Sequence, residues 1–232
     1  VARKPLKPPK LYFSFRSPYS WLTMRRLRAA VPNVLETFDV YPYWDPDQRT
    51  SRELAEAGGE FHYAQMSRAK HLYILMDTKR LAQAEGVPMA WPIDVDPFWE
   101  LPHLGWLRAR AAGKANEFYD AVIEARWGRG ENICEPEVLT GCAEQAGLDP
   151  VSIVDAHLDD AIRKEGTGCL YQAYLDDIFA VPYLKWGQHR FWGLDRVDAF
   201  LRVFQADDET PAVQPPAKPE TAYDTDQAGG CG

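Results

Sequence analysis

The chain has 232 residues, 46% of them apolar, and its 34 acidic against 26 basic side chains give a net charge of -8 at pH 7. That apolar share supplies a real core, and the length suits one domain with a large insertion or two small ones. An acidic chain with scattered Lys and Arg is a poor fit to nucleic acid or membrane as a partner. No signal peptide and no apolar run of about 18 residues is visible, so a cytoplasmic protein is the expectation.

Residues 1–10 carry Arg3, Lys4, Lys7 and Lys10 among prolines and read as a solvated N-terminal arm. An apolar, aromatic strand is predicted over 11–16 and an amphipathic helix over 18–31, with Trp21, Leu22, Met24, Leu27 and Val31 near helical spacing. Ser17 is a good N-cap, and Pro18 fits the first helical position, where a missing N–H costs nothing. The unpaired N–H groups and the dipole of such a start favour an anion such as a thiolate. A second strand is predicted over 34–43, and strand–helix–strand implies a parallel pair with a right-handed crossover.

Residues 45–178 read as an all-helical insertion. A loop with a short helix covers 45–60, and a helix over 64–85 stops at Gly86-Val87-Pro88. A Pro- and Trp-rich loop over 88–98 leads to helical segments over 99–113, 115–127, 135–147, 150–163 and 168–178. Strands return at 180–185 and 188–192 about a Trp186-Gly187 turn, and a last helix is predicted over 194–205. From 206 to 232 the chain is acidic, Pro-rich and poor in large aliphatics, a composition that predicts disorder. The order is β-α-β, helical insertion, β-β-α. The fold class is therefore α/β, a thioredoxin-like domain (11–44 and 179–205) interrupted by a large all-helical insertion.

The four cysteines, Cys134, Cys142, Cys169 and Cys231, form no Cys-x-x-Cys and fit no common zinc spacing. The first three lie in helical segments and read as small buried apolar residues, while Cys231 sits in a flexible Gly-Gly-Cys-Gly terminus. His71, His103 and His189 show no metal spacing and read as ordinary structural histidines, so no metal is expected.

Four stretches carry a family likeness: Phe13–Leu22 (FSFRSPYSWL), Lys70–Arg80 (KHLYILMDTKR), Ile178–Pro182 (IFAVP) and Phe191–Arg196 (FWGLDR). In this order the chain resembles the DsbA-like thioredoxin superfamily over about residues 10–205. It is most similar to the cysteine-free branch of 2-hydroxychromene-2-carboxylate isomerases and kappa-class glutathione transferases. Thioredoxin-type redox proteins carry Cys-x-x-Cys where this chain has Ser17 and Ser20, so the site can hold a thiolate but cannot supply one. Dithiol–disulfide exchange is not expected, because neither serine forms the mixed disulfide it requires.

The resemblance implies that Ser17 contacts the sulfur of bound glutathione. A serine hydroxyl ionises too high to act alone as a base, but it can donate a hydrogen bond that stabilises a thiolate and lowers the thiol pKa. The bland alternative is a simple N-cap. Val181-Pro182 matches the cis-proline element, whose exposed backbone groups pair with a peptide-like ligand; a proline beginning an edge strand is the alternative. Asp195 and Arg196 match the turn that receives the glutamyl end of glutathione, although Asp195 also suits plain helix capping. Lys70 matches a lysine near the glycyl carboxylate and shares a helix face with Tyr73, Asp77 and Arg80, of which the last two can simply pair with each other.

Two departures stand out. Leu194 replaces a small or polar residue, and Trp44-Asp-Pro-Asp-Gln48 stands where relatives carry a Gly-Asn element. Arg16, a cation directly before Ser17, either draws an anionic substrate or points to solvent. Arg16, Tyr19, Ser20 and Trp91 are the expected substrate-pocket residues. Trp91, Phe98, Trp99 and Trp106, with Met89, either roof an apolar pocket for a flat substrate or form the insertion's own core.

The resemblance thus implies a homodimeric isomerase that depends on glutathione or another low-molecular-weight thiol and acts on a conjugated, aromatic carbonyl compound. A glutathione transferase in the same pocket and a non-catalytic thioredoxin-like binding protein are the alternatives.

Overall fold

Strand β1 (Lys10–Phe13) lies between β2 (Asp39–Pro42), to which it is parallel, and β3 (Tyr183–Trp186), to which it is antiparallel; β4 (His189–Trp192) closes the order β2-β1-β3-β4. This computed structural model describes residues 7–62 and 66–206. The expected disordered tail, Cys231 with it, and most of the N-terminal arm lie outside the described residues. Lys10 is not part of that arm. It opens β1, pairs with Asp39 and Lys185 in the sheet, and places its ammonium 2.6 Å from Asp176.

Alternation along the strands gives the sheet two different faces. On one face Phe13 meets Trp106 and Tyr119 at 5.2 and 5.7 Å, and Phe191 and Trp186 meet Phe200 and Phe204 of the last helix, α10 (Val197–Gln205). On the other face Lys10, Tyr12 and Lys185 converge on Asp176, which follows helix α9 (Asp160–Leu175). Burial pushes the Asp176 carboxyl up, but hydrogen bonds from Lys10, Lys185 and Tyr12 outweigh it and hold the pKa at about 2.

Helix α1 (Pro18–Ala30) follows β1 as expected. The predicted strand over 34–43 is only half right. Val34–Thr37 forms a single helical turn, α2, and only Asp39–Pro42 is strand. Val34 and Leu35 are buried in that turn, and a short run of β-branched and apolar residues is equally compatible with either conformation.

The insertion holds α3 (Gln48–Glu56), α4 (Arg68–Ala84), α5 (Glu100–Ala111), α6 (Ala115–Ile123), α7 (Pro136–Gln145), α8 (Pro150–Val154) and α9. The expected break between helices at 163–168 is displaced. Asp159 caps α9 by accepting the N–H groups of Ala161 and Ile162 at 2.8 and 3.2 Å, and the helix then runs unbroken through Gly166 and Gly168. Gly166 is there for close approach, since a Cβ on it would stand 2.6 Å from Leu104 and 3.1 Å from Trp44. No described helix is long and apolar enough to cross a membrane.

Candidate active site

Strand register decides which loops meet. Phe13 pairs with Pro42, Tyr12 with Tyr183, and Tyr183 with Trp192. Residues 14–17 and 43–47, the segment 181–182 that precedes β3, and residues 193–196 therefore all leave the sheet at one end. The Val181–Pro182 bond is cis. The Gly193 N–H donates to the Pro182 carbonyl at 3.0 Å, and α1 packs against Leu194–Arg196. Three stretches far apart in sequence, carrying Ser17, Val181 with Pro182, and Asp195 with Arg196, are thereby brought to one edge.

Ser17 caps α1. Its backbone is extended (φ -92°, ψ 114°), its carbonyl accepts the Trp21 N–H at 3.2 Å, and its Oγ accepts the Ser20 N–H at 3.2 Å. A hydroxyl has one donor and two acceptor sites, so capping with a lone pair leaves the hydroxyl hydrogen to donate outward. The side chain is half-buried.

Ser20 turns the other way. It is 2% exposed, and its Oγ accepts the Ser14 N–H at 3.2 Å. That bond closes the turn from β1 into α1 and leaves Ser20, expected in the substrate pocket, buried beneath the helix start. Tyr19 is half-buried, and its hydroxyl donates to Asp77 of α4 at 2.7 Å. Burial, then the Asp77 carboxylate, raise the phenol well above its ordinary range and keep it protonated. Burial also acts on Asp77, but Arg80 at 2.7 Å and Tyr19 outweigh it and lower the carboxyl.

Lys70 lies exposed in the first turn of α4, about two turns before Asp77. Asp195 and Arg196 are exposed and ion-paired with each other at 2.6 Å. Leu194 is buried, so its side chain is unavailable to a ligand. The aromatic residues of the 88–106 segment occupy different surroundings. Trp106 is fully buried core, and Trp91 packs on Trp127 at 5.6 Å, which in turn stacks on Trp21 of α1 at 6.0 Å.

Phe98 and Trp99 instead line an open cleft of about 300 Å3 with Arg16, Asp45, Asp47 and Glu100. The Arg16 guanidinium sits 5.5 Å from the Trp99 ring. Glu100 is buried and accepts the Asp47 N–H at 2.5 Å; burial raises its carboxyl above the usual range. Asp47 is ion-paired with Arg163 at 2.8 Å.

The residue that composition and spacing did not single out for the site is His103. It is fully buried in α5 and its Nε2 stands 3.2 Å from the Phe15 nitrogen and 3.3 Å from Ser14 Oγ. No sequence signal marks it, since two of its partners, Ser14 Oγ and the Phe15 N–H, lie almost ninety residues away in the chain. Cys134, Cys142 and Cys169 are buried free thiols whose pKa values burial pushes up to about 12, 11 and 12, which leaves them unreactive. Among the described residues, no group of three or more His, Cys, Asp or Glu is placed to hold a metal.

The family model for the DSBA-like thioredoxin domain matches residues 10–205. The chain belongs to that family. Within the DSBA-like family it is 27% identical over 198 residues to the 2-hydroxychromene-2-carboxylate isomerase of Sphingobium xenophagum, covering 84% of this chain and 96% of that protein. The enzyme of the same name from Pseudomonas putida is 24% identical over 186 residues, covering 80% and 88% of the two chains. A solved 2-hydroxychromene-2-carboxylate isomerase superposes with a TM-score of 0.64 over 86% of this chain and 98% of its own, at 22% identity. That superposition places the present sheet and helical insertion in the same thioredoxin-like fold.

Proposed function

We propose that this protein is a thiol-dependent isomerase of the 2-hydroxychromene-2-carboxylate isomerase type, with glutathione or another low-molecular-weight thiol as its cofactor. The observation that carries the reading is Ser17. It stands half-buried at the start of α1 with its Oγ lone pair engaged by Ser20 N–H and its hydroxyl hydrogen directed to no residue among the described contacts. Relatives that share most of the chain length and carry the isomerase name support the same reading.

In this reading Ser17 donates to the thiol sulfur, and the helix start favours its anionic form. The thiolate adds to the β-carbon of a conjugated carbonyl compound, and the displaced electron pair moves to the carbonyl oxygen. The former double bond rotates as a single bond. Collapse of the enolate restores the double bond and expels the thiolate, so no thiol is consumed. The backbone of Val181, before cis Pro182, pairs with the thiol's peptide-like part; Asp195, Arg196 and Lys70 supply charges for its termini. Arg16, over Trp99 and beside Phe98, takes the carboxylate of a flat substrate in the cleft.

Leu194 favours a second reading, a binding protein without turnover, because its buried side chain leaves only backbone groups at the position where relatives carry a small or polar residue. Calorimetric titration with glutathione and other small thiols, together with ultraviolet absorbance of the bound thiolate, tests both. Thiol binding with a depressed pKa, lost in Ser17→Ala, and isomerisation of 2-hydroxychromene-2-carboxylate with no net loss of thiol are the expected results. Saturable thiol binding without turnover of any conjugated carbonyl compound selects the binding protein, and stoichiometric thiol loss selects a transferase. Failure to bind any thiol overturns the proposal.

A further inference from the structure

His103 belongs to the helical insertion, yet its ring reaches the turn that delivers Ser17. Its Nδ1 lies 2.7 Å from the Trp99 carbonyl oxygen. A carbonyl only accepts, so Nδ1 carries the proton. Its Nε2 faces the N–H of Phe15 at 3.2 Å. A backbone N–H only donates, so Nε2 must be the bare acceptor, and the ring is neutral with its tautomer fixed by partners on both sides.

Ser14 Oγ, 3.3 Å from the same Nε2, donates to it and accepts the Arg16 N–H at 3.3 Å. The imidazole is clamped between Trp44, stacked at 5.3 Å, and Phe15 at 5.3 Å. Burial drives its pKa down to about 3, with the nearby Arg126 cation adding to the effect, so the ring stays neutral across the physiological range.

We propose that His103 is a positioning residue of the Ser17 site: it holds Ser14, Phe15 and, through Ser14, Arg16, and so fixes from the helical insertion where the first turn of α1 stands. The same ring fixes Trp99 through its carbonyl. The floor of the Arg16 cleft and the helix start are thus set by one side chain. The hydrogen-bond assignment stands independently of the thiol-dependent reading; the consequence for a bound thiol rests on it.

The experiment pairs nitrogen NMR of the wild-type imidazole with two variants, His103→Gln and His103→Leu. Gln retains a carbonyl oxygen able to accept the Phe15 N–H, whereas Leu retains bulk without an acceptor. The wild-type spectrum is expected to show the Nδ1–H tautomer with no titration near the ordinary histidine value of about 6.5.

In His103→Leu, kcat should fall about ten-fold with the substrate KM changed less than about two-fold, because displacing a reacting group by even part of an ångström is costly. The bound thiol pKa should rise, and the Phe15 amide should exchange faster. His103→Gln should recover most of each loss. An Nε2–H tautomer or a ring titrating near neutrality overturns the proposal. So does a folded His103→Leu protein whose thiol pKa and kcat match wild type. If wild type binds no thiol, the functional reading fails by itself. The tautomer and the Phe15 exchange rates of the two variants then decide the present inference, with equal rates overturning it.

Discussion

At the Lys10 end of the sheet, charge is answered by charge: two lysines and a tyrosine hydroxyl converge on the carboxylate of Asp176. At the Ser17 end, the turn that follows the same strand is held by neutral groups, a serine lone pair on the Ser14 N–H and an uncharged imidazole on the Phe15 N–H. A paired ion secures a strand but also fixes the local field. If the junction receives a thiolate as proposed, dipoles suit it better than a paired ion, because their remaining donors are not already neutralised by a fixed counter-ion. The contrast therefore separates β1, held through Lys10 and Tyr12, from the Ser14–Phe15 turn that follows it.

Asp176→Asn is the largest test of this contrast. It leaves Lys10 and Lys185 without their anion and should cost about 2–3 kcal/mol, because breaking a largely buried pair strands the surviving charges. Urea unfolding measures the loss, and thiol binding at Ser17 should stay unchanged; a parallel loss of binding would mean that the two ends are coupled.

Acid separates the ends by pH window. The depressed Asp176 pKa contributes stability that is complete above its unfolded value of about 3.9 and is lost as pH falls through about 2. His103 is also depressed, so its contribution is complete above about 6.5 and erodes as pH falls toward its folded value of about 3. Stability measured against pH should show both limbs. Asp176→Asn should flatten the lower and His103→Gln the upper, and a single unchanged limb in either variant would refute its assignment.

Ser17→Ala removes a cap and should cost about 1 kcal/mol in thermal or urea unfolding. The disproportion sharpens the comparison: a small stability change is expected beside the abolished thiolate stabilisation. Arg16→Leu should have the smallest effect on stability, within about 0.5 kcal/mol, because Arg16 lies on the surface. Its effect should appear as a higher KM for a carboxylate substrate at unchanged kcat, measured by steady-state kinetics.

Much of this was legible in the chain. The Ser17-Pro18 helix start follows from the local chemistry of two residues, and α1 from its apolar spacing. The turn at Val34–Thr37 was not legible, since four residues carry too little periodicity to separate helix from strand, and their burial decided it. The sequence places a break at 163–168, whereas α9 runs through it, and the missing side chain of Gly166 admits Trp44 and Leu104. The residue types at 17 and 20 name Ser20 as a pocket candidate but do not show that its hydroxyl accepts the Ser14 N–H.

By itself, then, the sequence determined which segments become helix and strand over most of the chain, and that a hydroxyl rather than a thiol opens α1, because these depend on neighbours within one or two turns. Only the tertiary structure decided that 14–17, 181–182 and 193–196 share one end of the sheet, that Trp99 rather than Trp91 stands beside Arg16, and that His103 receives the Phe15 N–H. Those facts depend on strand register and on packing between residues tens of positions apart, where a hydrogen bond leaves no periodic trace in the chain.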